Sequence, residues 1–168
     1  MHSSRSASRS LSESNSELRR AVASDAAAIR ELTRAAYAKW VPLIGREPLP
    51  MRADYDIAVR DHIIDLLYAG DRLAALIEAI PAADHLLVEN VAVDPAFQGR
   101  GYGRHLMAHA ETLAKSLGVT ELRLYTNKAF ATNVQLYLSL GYRIDREEAF
   151  VGGGVIVHMS KQLGAPAV

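Results

Sequence analysis

The sequence predicts an α/β protein: a mixed α+β sheet with helices on both faces. Three observations lead there. Residues His85 to Val93 form the most strand-like segment, with Leu87, Val91 and Val93 on one face and Leu86, Val88 and Ala92 on the other. A strand apolar on both faces is a central one, covered by helices on each side. It runs into a glycine-rich loop and then an amphipathic helix, and strand and helix patterns continue to alternate after it.

The 168 residues suffice for one domain with its own core, and 49% hydrophobic with 23% charged residues is ordinary globular composition. Lys plus Arg and Asp plus Glu are 19 each, so no charge excess points to nucleic acid or to an anionic membrane. The longest apolar runs fall short of a membrane span. Cysteine is absent, which excludes disulfides, thiol nucleophiles and thiolate metal sites. A cytoplasmic domain that works with oxygen and nitrogen side chains and its backbone is expected.

Residues 1–16 include eight serines and little apolar content, and read as a disordered tail. A single domain is expected over 17–163, with 164–168 as a C-terminal tail. A short strand, Leu18 to Val22, leads to Ser24 and Asp25, both good helix N-caps. Ile29, Leu32, Ala36, Tyr37 and Trp40 then follow a helical stripe that Pro42 and Gly45 end. Arg46 to Met51, with two prolines, reads as a loop. Asp54 caps a second helix whose inner face carries Ile57, Ile64, Leu67 and Tyr68. Strands follow at 72–80 and 85–93, joined by a turn at 81–84. Leu106, Ala110, Leu113, Ala114 and Leu117 make the stripe of a helix over 103–117, with Gly118 as its C-cap. A strand at 121–126, a helix at 131–140 and closing strands at 142–146 and 155–159 complete the order β-α-α-β-β-β-α-β-α-β-β. Gly152 to Gly154 read as the turn between the closing strands. Those strands end the sheet, and exposed edges invite pairing with a second copy, so a homodimer is compatible with the pattern.

The chemistry concentrates in Val91-Ala-Val-Asp-Pro-Ala-Phe-Gln-Gly-Arg-Gly-Tyr-Gly103. Glycines at 99, 101 and 103 let backbone N–H groups point into one concavity at a helix N-terminus, which makes an anion site. Arg100 and Arg104 add charge. The spacing fits neither the dinucleotide fingerprint nor a Walker loop, since Gly103 is followed by Arg104. A plain glycine turn stays open on backbone grounds alone.

The run Gln98-Gly99-Arg100-Gly101-Tyr102-Gly103 resembles the Gln/Arg-x-x-Gly-x-Gly/Ala motif of the GCN5-related N-acetyltransferases, the GNAT superfamily. ENVAVDPAFQGRGYG looks like that family's fourth strand and loop; LRLYTN and NVQLYLSLGY look like its fifth strand and fourth helix. The resemblance covers about residues 17–162 and is strongest over 85–143. It implies a central mixed sheet of six to seven strands and acetyl-CoA as the acyl donor, bound where the fourth and fifth strands splay apart. Carried over, the stretch Gln98, Gly99, Arg100, Gly101, Tyr102, Gly103 would hold the pyrophosphate. Backbone groups of Val91, Ala92 and Val93 would pair with the pantetheine arm as an added strand. Asn133 sits where family members often contact the cofactor, or else is a polar residue on the helix surface.

The same resemblance makes Tyr137 the proton donor to the leaving thiolate, a task a phenol suits; a core aromatic at helical spacing from Phe130 and Val134 is the alternative. Glu89 lies in an otherwise apolar strand. A buried carboxylate is costly unless paired, so it is either a general base for the incoming amine or the partner of an arginine such as Arg123. Asn90 faces the other way and pins a loop. The acceptor, a small-molecule or peptide amine, would meet Tyr37, Trp40, Glu47, Met51 and Tyr55, where two of the aromatics equally complete a helix stripe. His105 and His109 are four apart, but lack the other ligands of a zinc site and read as surface residues. No metal site is expected. A non-catalytic acyl-CoA-binding regulatory module and a binder of another phosphate ligand are the rival functions.

Overall fold

The computed structural model describes residues 16–164. The expected tails lie outside these residues, except that Ser16 is the first residue of β1 and Gly164 follows the last strand. The chain runs β1 (Ser16–Arg20), α1 (Ala26–Tyr37), a one-turn α2 (Val41–Ile44), α3 (Tyr55–Asp61), β2 (Ile63–Ala69), β3 (Arg72–Pro81), β4 (Leu86–Val93), α4 (Tyr102–Ser116), β5 (Glu121–Asn127), α5 (Ala131–Ser139), β6 (Arg143–Ala149) and β7 (Val155–Gln162). Seven strands form one sheet in the order β1-β2-β3-β4-β5-β7-β6. β4 and β5 are parallel, and every other neighbouring pair is antiparallel. The central strand is β4, as its two apolar faces require.

Three local expectations change. Pro42 does not stop the first helix; it sits in the first turn of α2, where a missing N–H costs nothing, and Gly45 at φ 72° ends that turn. The second helix is only seven residues, with Asp54 accepting hydrogen bonds from the amides of Asp56 and Ile57 as predicted. Ile64, Leu67 and Tyr68 belong instead to β2, a strand that precedes the expected ones at 72–80 and 85–93. Ile57, assigned to the inner face, is exposed.

Two apolar cores flank the sheet. α4 buries Leu106, Met107, Ala110 and Ala114 against Ala75, Ile77, Ala79, Leu86 and Val88. α1 and α3 bury Ile29, Leu32, Tyr55 and Ala58 against Ile64, Leu66, Leu76 and Ala92. Each fully buried Leu or Ile contributes about 1.5–3 kcal/mol of transfer free energy. His109 is not a plain surface residue: its Nε2 lies 2.7 Å from the Asp65 carboxylate, which Arg20 also meets at 2.6 Å. That arrangement pairs both oxygens of a buried acid.

The predicted face pattern of β4 holds only in part. Val88 pairs with Ala79 and Asn90 with Glu78, so Glu89 is an extra residue, a β-bulge. Alternation resets there. Leu86 and Val88 before the bulge and Val91 and Val93 after it all face the α4 core, while Ala92 faces the α1 core.

Candidate active site

The backbone ladder between β4 and β5 covers only Leu86 to Val88 against Leu122 to Leu124. Beyond it the strands diverge, because the bulge at Glu89 bends β4. The Asp94 amide donates to Ala74 of β3. By strand alternation, Ala92 also turns its backbone to β3, whereas Val91 and Val93 turn theirs into the gap. The Val93 carbonyl there accepts from the Gln98 side-chain amide at 3.0 Å.

Asp94 caps a single turn, Pro95–Phe97, by accepting from the Ala96 amide. Gly99 and Gly101 then adopt φ 78° and 85°, left-handed values that a Cβ disfavours. They bring the chain round into α4, whose N-terminus has no side-chain cap. No side chain caps its first-turn amides, which stand at the positive end of a 15-residue helix.

The cleft here has a volume of about 500 Å³ and is lined by Val91, Val93, Gln98, Gly99, Gly101, Tyr102, Gly103, Asn133 and Tyr137, all expected site residues. Ala92 and Arg100 are not among its lining residues. Ala92 is buried in the α1 core, and the Arg100 guanidinium lies 5.4 Å from the Phe97 ring centre. Arg104, expected to add charge, does line it, and so does a cation the sequence did not single out for this role, Lys39, whose ammonium donates to Gln98 Oε1 at 3.2 Å. A concavity of amides with flanking cations fits a pyrophosphate.

A second cavity lies between the α2–α3 segment, β4, β5 and the β6–β7 hairpin. Tyr37, Val91, Asn133 and Tyr137 line both cavities, so the two meet at these residues. The Tyr137 hydroxyl makes no hydrogen bond among the described residues, and burial pushes its pKa up to about 12. It therefore keeps its proton at any working pH. Glu89 opens into the second cavity and accepts a 2.6 Å hydrogen bond from the Tyr125 hydroxyl. Arg123, the alternative partner, pairs instead with Glu121 at 2.9 Å. Burial, with Glu89 beside it, raises the Tyr125 pKa, which keeps that hydroxyl a donor.

Asn90 pins helices rather than a loop. Its Oδ1 accepts from the Tyr37 hydroxyl at 2.9 Å, and its amide lies 3.3 Å from the Tyr55 hydroxyl and 3.4 Å from Thr33 Oγ1. Of the expected acceptor residues, only Tyr37 lines the second cavity. Trp40 stacks on Phe130 at 4.5 Å, Glu47 is held by Arg34 at 2.7 Å, and Met51 is buried. Tyr55 donates to the Pro50 carbonyl at 2.6 Å. The acid at the cavity is therefore Glu89, not Glu47. Among the described residues, no group of three or more His, Cys, Asp or Glu side chains could hold a metal. No helix among them is long and apolar enough to cross a membrane.

Two cavities that share Tyr37, Val91, Asn133 and Tyr137, beside a split between parallel central strands, mark the site of this α/β protein. The model of the acetyltransferase (GNAT) family matches residues 26–142, and the chain belongs to that family. It is 40% identical over 76 residues to the [ribosomal protein bS18]-alanine N-acetyltransferase of Salmonella typhimurium; that match covers 45% of this chain and 51% of the relative. The match thus spans about half the length of that curated relative. Among solved structures, the ribosomal-protein-S18-alanine N-acetyltransferase from Escherichia coli superposes with a TM-score of 0.73 at 20% identity, covering 90% of this chain and 96% of that one. The PaiA N-acetyltransferase from Thermoplasma acidophilum, in complex with coenzyme A, gives 0.74 at 20% identity, covering 89% and 99%. These two likenesses establish the seven-stranded fold.

Proposed function

We propose that the protein is an N-acetyltransferase that moves an acetyl group from acetyl-CoA to a primary amine of a small molecule or peptide, by direct attack in a ternary complex. The observation that carries this reading is the meeting of the two cavities at Tyr137, with Glu89 in the second. Bound acetyl-CoA supplies a thioester whose carbonyl carbon an amine can attack. The amides around Gly99, Gly101, Tyr102 and Gly103 would hold its pyrophosphate, with Lys39 and Arg104 adding charge. Val91 and Val93 offer backbone groups to its arm as to an added strand.

Glu89 takes a proton from the incoming ammonium, directly or through one water, which frees the nitrogen lone pair. Tyr137 donates its proton to the departing sulfur. Its raised pKa is matched on that side, because a thiolate forming in the same desolvated cleft is made more basic by the same burial. The absence of cysteine argues against an acyl-cysteine intermediate.

Isothermal titration with acetyl-CoA, repeated with Gly101→Glu, tests the donor half. Micromolar binding by the wild type and its loss in a folded variant support the assignment. No binding by the wild type overturns it. Release of CoA with an amine panel tests the acceptor half, and binding with no release for any amine would make the protein a regulatory acyl-CoA-binding module.

A further inference from the structure

Among the described residues, only two charged side chains line the second cavity, Glu89 and Arg46. Glu89 has a task in the proposed transfer, and Arg46 has none. Arg46 follows the left-handed Gly45 that ends α2 and reaches across to the β6–β7 hairpin. Its guanidinium carbon lies 4.5 Å from the Phe150 ring centre, and its one hydrogen bond, to the Gly153 carbonyl, is 3.4 Å long. Among the described residues it has no carboxylate partner, whereas Arg19, Arg34 and Arg123 each hold one at 2.9 Å or less.

A guanidinium carries five N–H donors in a planar fork that matches a carboxylate. Here one donor makes a long bond and the others are left over. The side chain is partly buried, among Ile44, Pro48, Leu49 and Phe150. In that setting an opposite charge counts for more than it does in water. Stacking on Phe150 holds the plane of the fork before any ligand arrives, which lowers the ordering cost of binding.

We propose that the acceptor is a small amine that also carries a carboxylate, an amino acid in chemical class, with its amino group at Glu89 and its carboxylate on Arg46. The amine half of this assignment rests on the acetyl-transfer reading; the carboxylate half rests on Arg46 alone. A peptide N-terminus has an amide where an amino acid has its carboxylate, so the pocket favours the free amino acid.

The test pairs each of the twenty proteinogenic amino acids with its α-amide. Both members are measured for acetylation and, by calorimetry in the presence of CoA, for binding. At least one amino acid should exceed its amide by tenfold or more in kcat/KM and in affinity. Arg46→Gln should collapse that ratio toward one, and Arg46→Lys, which keeps charge without the fork, should restore part of it. Amides that equal or exceed every amino acid, as a peptide acceptor would predict, overturn the proposal. So does an Arg46→Gln variant that lowers both members of each pair equally, which would make Arg46 a brace between the α2–α3 segment and the hairpin. Arg46-dependent amino-acid binding without acetylation of any member sustains the carboxylate site and overturns the transfer reading instead.

Discussion

The Tyr125 hydroxyl donates a 2.6 Å hydrogen bond to Glu89 Oε1, and these two residues are the first along β4 and β5 beyond the backbone ladder, which ends at Val88 and Leu124. A side-chain bond takes over where main-chain pairing stops. It fixes one carboxylate oxygen and leaves the other for the second cavity. Glu89→Gln is expected to lower kcat/KM by about 100-fold or more, the usual size of a general-base contribution, with acetyl-CoA affinity largely kept. Tyr125→Phe frees the carboxylate to rotate and should cost less. Steady-state CoA release with parallel calorimetry separates these outcomes, and an unimpaired Glu89→Gln enzyme would remove Glu89 from the mechanism.

Tyr137 and Tyr142 meet edge to face with ring centres 5.9 Å apart, yet their hydroxyls predict opposite results. Tyr137→Phe should lower turnover at least tenfold while acetyl-CoA still binds. The Tyr142 hydroxyl is buried with no partner among the described residues. Tyr142→Phe removes an unsatisfied polar group and should leave the fold unharmed or stabilise it by about 1 kcal/mol. Denaturant unfolding reads the second effect and kinetics the first. Equal turnover by wild type and Tyr137→Phe across the pH range would end the proton-donor role.

The glycines of the loop also divide. Gly101 has φ 85°, so any side chain there strains the backbone, whereas Gly103 is helical and an added Cβ would lie 3.8 Å from Leu136 Cδ2, an ordinary contact. Gly103→Glu should therefore weaken acetyl-CoA binding through bulk and charge with little loss of stability, while Gly101→Glu should lose binding and give up about 1–2 kcal/mol of stability while still folding. Titration calorimetry and thermal melts on the pair decide it. Full acetyl-CoA affinity in Gly103→Glu would move the pyrophosphate elsewhere.

Glu78 is buried beside Asn90, and its Oε2 lies 3.4 Å from His62 Nδ1. Burial raises its pKa, His62 works against that rise, and the Glu89 charge adds to it. In the window above the ordinary glutamate value the folded state then holds a proton that the unfolded chain has released. Stability from this group is full below that value and falls as pH rises through the raised one. Glu78→Gln should remove that slope, so the variant gains on the wild type as pH climbs. Denaturant midpoints for both proteins between pH 4 and 8 give the difference directly, and parallel curves would place the burial cost elsewhere.

The parts of this molecule that local pattern controls were legible in the chain. The glycine loop, the stripe of α4 and the strand at β4 depend on near neighbours. The segment 63–69 shows the limit. Ile64, Leu67 and Tyr68 have helical spacing, but Ile63–Ala69 is nearly all apolar, and only pairing with β1 and β3 decides for strand. Arg46 sits between a glycine and two prolines with no periodicity to mark it, and its place over the second cavity comes from a hairpin about 100 residues away. Tyr125 could have been found. With Leu122 and Leu124 buried on one face of β5, it must share the other with Arg123.

A strand running Leu86, Leu87, Val88, Asn90, Val91, Ala92, Val93 would alternate without a break. Leu86, Val88, Val91 and Val93 would still face α4, and Asn90 and Ala92 would still face α1. Both cores would keep every side chain they now hold. Glu89 is thus a surplus residue as far as folding is concerned. The fold tolerates it, and in return the sheet parts and an acid enters the gap. The proposed catalysis and the architecture fall to different residues of one eight-residue strand, so the acid can be changed without asking the cores to adapt.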